Sequence, residues 1–115
     1  MVHSSIRMVI PHSKRVESQT ILMSVAERTR VEPGCISCNL YQCIEDEYVM
    51  MIEELWQRNE DLERHLRSDD YLRVLLVVEM ALEKPEIRFN SISCSTGVET
   101  IEKARISLHM HSGHQ

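Results

Sequence analysis

A chain of 115 residues has room for one domain and one hydrophobic core, and its 43% hydrophobic content is that of a globular protein rather than a disordered one. The net charge of −5, with basic residues scattered among acidic ones as from Glu60 to Asp70, speaks against nucleic acid or an anionic membrane as partner. The N-terminus carries no basic region followed by an apolar stretch, and the longest purely apolar run, Val74 to Val78, falls far short of the roughly 20 residues a bilayer needs. These features predict a cytoplasmic protein whose four cysteines stay reduced.

His3 to Ile10 alternates, with Ile6, Met8 and Ile10 on one side, and predicts a first strand. Pro11 breaks it and Ser13 is placed to cap a helix. From Lys14 to about Arg30 the apolar positions Val16, Leu22, Met23 and Ala26 gather on one broad side, and Glu32-Pro33-Gly34 stops the helix. Cys35 to Ile44 alternates Ile36, Cys38, Leu40 and Ile44 against Ser37, Asn39 and Tyr41, and Glu45-Asp46-Glu47 is the turn. Tyr48 to Trp56 follows, with Met50, Ile52 and Trp56 on one face and Val49, Met51 and Leu55 on the other, so the two strands form a hairpin.

Asn59 is the expected cap of a second helical region, with Leu62, His65 and Leu66 inward. Ser68-Asp69-Asp70 reads as a fresh helix start, suited to the N-terminal dipole, and that helix runs to Lys84-Pro85. A last strand, Glu86 to Cys94, carries Ile87, Phe89 and Ile92. Residues 1–96 make the expected domain. Residues 97–115 form a polar, partly disordered extension with a short helical piece near Val98 to Ile106.

The order is α+β, strand–helix–strand–strand–helix–strand with an antiparallel sheet. Two crossover helices cover one sheet face, yet the hairpin is apolar on both. An uncovered apolar face predicts a homodimer packed sheet on sheet.

Cys35 and Cys38 form a C-x-x-C, but inside a strand an odd spacing points the two side chains to opposite faces. No second ligand pair follows at a zinc-ribbon spacing, and no helix N-terminus is near to activate a thiol. They read as small buried or half-buried thiols, and no metal is expected. The tail His109-Met110-His111-Ser112-Gly113-His114 offers adventitious metal ligands without supporting partners, and reads as a frayed terminus.

Taken together, several motifs carry a resemblance. Glu32-Pro33-Gly34-Cys35 follows the first helix, and Glu53-Glu54-Leu55-Trp56 ends the third strand. His65 comes nine residues past the Trp in Glu63-Arg64-His65-Leu66, and Ser68-Asp69-Asp70-Tyr71 follows. Over roughly Ile6 to Ile92 the chain resembles the antibiotic biosynthesis monooxygenase family, small dimeric α/β-barrel proteins that include cofactor-free quinol monooxygenases. The resemblance implies a ferredoxin-like protomer, a ligand cavity between sheet and helices, and oxidation of an electron-rich aromatic ring by dioxygen with no metal, flavin or haem.

Triplet dioxygen reacts slowly with closed-shell molecules, but a deprotonated hydroquinone or anthrone can give it one electron. The protein then has to bind a ring, remove a proton and exclude water. His65, on the inward side of its helix and titrating near neutrality, is the candidate base; its bland alternative is a core histidine bonded to a carbonyl. Trp56 is a ring-stacking wall or a core anchor needing one N–H partner. Tyr71 can offer a phenol to a ligand oxygen or merely pack at the surface. Asn39 and Arg88 are strand residues that could steady an oxyanion if they project into the cavity.

Three readings follow. The first is a cofactor-independent monooxygenase acting on a phenolic or quinol-type ring. The second is a non-catalytic dimeric module binding a small apolar ligand. The third is haem degradation, which related barrels perform with a first-strand Asn that this first strand lacks. With only three glycines and no Gly-rich phosphate cradle, nucleotide and flavin binding find no support.

Overall fold

A computed structural model describes residues 1–112. Four strands form one antiparallel sheet: β1 (Val2–Val9), β2 (Cys35–Gln42), β3 (Val49–Trp56) and β4 (Glu86–Ser91), in spatial order β2-β3-β1-β4. This is the ferredoxin-like order expected from the strand–helix pattern. A short 3-10 turn at His12–Lys14 leads into α1 (Arg15–Thr29); α2 (Asn59–Leu66) and α3 (Asp69–Glu79) cross from β3 to β4.

Register fixes the two faces. Val2, Ser4, Ile6 and Met8 of β1 stand opposite Trp56, Glu54, Ile52 and Met50 of β3, and these residues point toward the helices. Leu22, Val25 and Ala26 of α1 and Val74 and Val77 of α3 close over them as the core. The apolar side of α1 is narrower than expected, since Val16 and Met23 are 76% and 57% exposed while Val25, Ser18 and Thr29 go inside. The buried Thr29 hydroxyl donates to the Val25 carbonyl at 2.8 Å, which lets a polar side chain sit in the core.

Local chemistry explains the joints. Gly34 takes φ +83 at the turn into β2, a left-handed conformation that only glycine adopts cheaply. Ser68 caps α3, its hydroxyl accepting from the Tyr71 amide at 3.2 Å. Asn59 does not cap α2; it lies in the first turn, and its amide reaches Glu63 at 3.0 Å. Ser13 likewise caps nothing, because the 3-10 turn precedes α1 there.

The C-x-x-C departs from its expectation. A β-bulge between Cys35 and Ser37 adds one residue, so Cys35 stands opposite Trp56 and Cys38 opposite Glu54, both on the helix side. Ile36 is the residue displaced, 45% exposed.

Beyond β4 a fourth helix, α4 (Val98–Ser112), runs longer than the short piece expected from sequence. Among the described residues no other element makes more than marginal contact with it, and the radius of gyration of 18.2 Å exceeds the roughly 13 Å of a compact chain this size. No helix among the described residues is long and apolar enough to cross a membrane. Gly113, His114 and Gln115 lie outside the described residues, as do the side chains of the whole proposed metal-binding tail.

Candidate functional site

At the end of the sheet beneath α2, the helix-facing register of β3 reads Met50, Ile52, Glu54, Trp56. Glu54 is thus an acid in an apolar row, and it is 4% exposed. Its partner is His65, wholly buried on α2, whose Nε2 lies 3.1 Å from Glu54 Oε2. The other ring nitrogen, Nδ1, lies 2.7 Å from Glu32 Oε2, in the loop that closes α1. Trp56 completes the set by donating its indole N–H to Glu54 Oε1 at 3.1 Å.

One imidazole therefore sits between two carboxylates. Burial alone would pull its pKa down, but the hydrogen bonds and charges of Glu54 and Glu32 outweigh that and hold it above the ordinary value. The carboxylates differ in access: Glu32 is 21% exposed and Glu54 only 5% at the side chain. The cluster runs from an interior acid, through the imidazole, to an acid at the surface.

Neighbours reinforce it. Tyr71 presents its ring edge-on to His65 at 5.7 Å, and Trp56 lies tilted against the imidazole at 4.9 Å. Burial, and then the Glu54 charge, raises the Tyr71 phenol, so it stays a neutral donor. Burial together with Glu54 and Glu32 pushes Cys35 up to about 11, and burial and Glu54 lift Cys38 to about 12; both stay thiols at neutral pH. The loop carrying Glu32 is fastened to α2 by Arg64, which donates to the Pro33 carbonyl, and by the Asp61 carboxyl seated against Gly34. Burial would lift that carboxyl, but Arg58 and then Arg64 hold it below the usual range.

The predicted site residues thus divide. His65, Trp56 and Tyr71 come together. Asn39, opposite Glu53, and Arg88, opposite Ser5, share the register of the uncovered sheet face and are exposed, although Asn39 also borders the groove between α1 and β2; the residues nearest the imidazole are Glu32 and Glu54. An acid in the inward row of β3 is a signal the sequence carried for Glu54; Glu32 had none beyond its place before Pro33-Gly34. No group of three or more His, Cys, Asp or Glu side chains among the described residues is arranged to hold a metal ion.

Two kinds of open space adjoin the fold. A groove of about 350 Å³ lies between α1 and β2, and Ala26, Arg30, Asn39, Leu40 and Met50 are among the residues that line it. The second is the cleft to be expected between α3 and β4. α3 packs along α1, through pairs such as Arg28–Asp70 at 2.7 Å and Ser18–Met80 at 3.6 Å, and at helical spacing Tyr71, Leu75 and Val78 share a side of α3 turned from these contacts. On the helix side of β4, among the described residues, Ile87 and Phe89 are 41% and 46% exposed. Tyr71 on that side of α3 also meets His65 edge-on.

The comparisons with known proteins agree with this architecture. A family model described as antibiotic biosynthesis monooxygenase matches residues 1–75. Among solved structures, a conserved protein from Methanosarcina mazei Go1 shares 26% identity, covering 77% of this chain and 89% of its own, with a TM-score of 0.72. A candidate antibiotic biosynthesis monooxygenase from Deinococcus radiodurans shares 16%, covering 84% and 97%, at a TM-score of 0.76. Another from Nitrosomonas europaea shares 16%, covering 82% and 100%, at 0.74. The latter two likenesses are of fold. Among curated proteins none matches the sequence.

Proposed function

We propose a function from one premise: the chain belongs to the antibiotic biosynthesis monooxygenase family. Membership supports a general monooxygenase or small-molecule-binding role. Our reading is a cofactor-independent monooxygenase that oxidises a phenolic or quinol-type ring, working as a cytoplasmic homodimer paired through the uncovered sheet face.

The observation that carries it is the imidazole held between two carboxylates of unequal access. A ring docks in the cleft between α3 and β4, against Leu75, Ile87 and Phe89, with the Tyr71 phenol donating to its oxygen. Its proton enters the cluster at the Glu54 end, passes through His65 and leaves at Glu32, which faces water. His65 does not itself touch the ring, being enclosed; it holds and relays the proton. The ring anion gives an electron to dioxygen, the resulting radical and superoxide combine as a peroxide anion, which takes up a proton returned through the same cluster, and loss of water from the hydroperoxide leaves a carbonyl. For an anthrone, one dioxygen yields one quinone and one water.

The second reading, a non-catalytic module that binds a small apolar ligand, draws on the same enclosure: a fully satisfied buried histidine is also a structural device. Oxygen uptake with dihydroxynaphthalenes and anthrones separates the two. The monooxygenase reading expects turnover that falls at least tenfold in Glu32→Gln while ring binding persists. Absence of turnover with every ring that binds establishes the binding module instead.

A further inference from the structure

Two apolar surfaces of this chain lack a partner, and they match. The first is the stripe on α4, where Val98, Ile101, Ala104 and Leu108 recur at spacings of three and four; Val98, Ile101 and Leu108 are 64%, 60% and 68% exposed. The second is the cleft between α3 and β4, bordered by Leu75, Leu82, Ile87 and Phe89, at 38%, 63%, 41% and 46% exposed. In an α+β layer each stretch of sheet is covered by a helix. Here α1 and α3 cover β2, β3 and β1, and the position over β4 is vacant.

We propose that α4 of one copy fills this position in a second copy, so that each protomer's ring-binding cleft is roofed by its partner's C-terminal helix. Three observations favour a second copy as the occupant. α4 stands clear of its own chain, extending a molecule whose longest dimension is 58 Å. Its 15 residues span about 22 Å, enough to cover the 11 residues of α3, about 16 Å, together with the strand beside them. A helix-in-cleft contact repeated by a two-fold axis is made twice, doubling its buried area toward the roughly 1,600 Å² of a standard interface.

The proposal rests on the cleft as the ring site only for its consequence, the exclusion of water from the reacting ring. Its test does not depend on activity. In a background with the exposed thiols removed (Cys43→Ser, Cys94→Ser), Ile101→Cys and Leu75→Cys are combined in the full chain and oxidised with copper phenanthroline.

The expected product is a disulfide-linked species of dimer mass that neither single variant forms. A disulfide at monomer mass would mean that α4 folds onto its own cleft, and no disulfide would mean that it does not reach the cleft at all; either result overturns the proposal. The pair Ile101→Asp and Leu108→Asp, on side chains 60% and 68% exposed in the protomer, should weaken self-association at least tenfold by sedimentation equilibrium with the circular dichroism spectrum unchanged. Unaltered self-association would also overturn it. A ring that still binds while these results fail leaves the functional reading standing and removes only the roof.

Discussion

Beneath α2 and along β4 the same face of one sheet is finished in opposite ways. At the α2 end, charged groups that would be costly alone are matched until no buried side-chain nitrogen or oxygen among the described residues lacks a partner. Along β4 the helix-side residues Ile87 and Phe89 are apolar and exposed among the described residues. A satisfied polar cluster resists rearrangement, whereas uncovered apolar surface gains free energy from whatever docks there. The contrast separates what holds the fold from what is free to bind.

The largest expected effect tests the finished end. His65→Leu removes the cation between Glu32 and Glu54 and leaves a buried carboxylate without its partner, which should cost about 3–5 kcal/mol in urea unfolding. A loss below about 1 kcal/mol would mean the cluster stabilises little. The same interaction sets a pH dependence. Because the folded His65 pKa lies above its unfolded value, the stabilisation is complete below about pH 6.5 and is lost as pH rises through the raised value. Urea midpoints of the wild type and His65→Leu should therefore converge on the alkaline side.

Gly34→Ala comes next. A left-handed residue costs about 1–2 kcal/mol without glycine's freedom, and the new Cβ would stand 2.1 Å from Asp61 Cγ. The melting temperature should drop well below that of Gly97→Ala, whose Cβ meets nothing nearer than the flexible Glu99 carboxylate at 3.3 Å. Ser68→Ala, which removes the cap of α3, should cost about 1 kcal/mol. The smallest effect on stability belongs to the open cleft: Leu75→Ser, at a half-exposed position, should cost less than about 1 kcal/mol yet weaken ring binding several-fold in a fluorescence titration. If Leu75→Ser destabilised the fold as His65→Leu does, the division between holding and binding would collapse.

Much of the fold was legible because alternation survives wherever one face is buried. Ile6, Met8 and Ile10, and Met50, Ile52 and Trp56, fell on the inner side as read. The Pro33-Gly34 stop and the Ser68 cap are local chemistry and were legible for that reason. Less visible were features set by distant contacts. Val16 and Met23 continue an apolar pattern, but α1 is rotated so that Ser18 and Thr29 face inward in their place. Of the site, His65, Trp56 and Tyr71 share one neighbourhood, whereas Glu32 reaches the imidazole only through the closing of a turn 33 residues away in sequence. Asn39 and Arg88 sit on strands as expected, yet strand parity assigns Arg88 to the uncovered face and leaves Asn39 at the border of the α1–β2 groove.

The bulge at Ile36 has a practical consequence. By bringing Cys35 and Cys38 to one side, it grades the four free thiols: Cys43 and Cys94 are exposed, Cys35 is half-buried and Cys38 is buried. A maleimide pulse should modify Cys43 and Cys94 at once, Cys35 more slowly, and Cys38 only when the β2 end opens. Cys38 thus acts as a built-in clock for the local breathing of the site, readable by mass spectrometry without adding a probe.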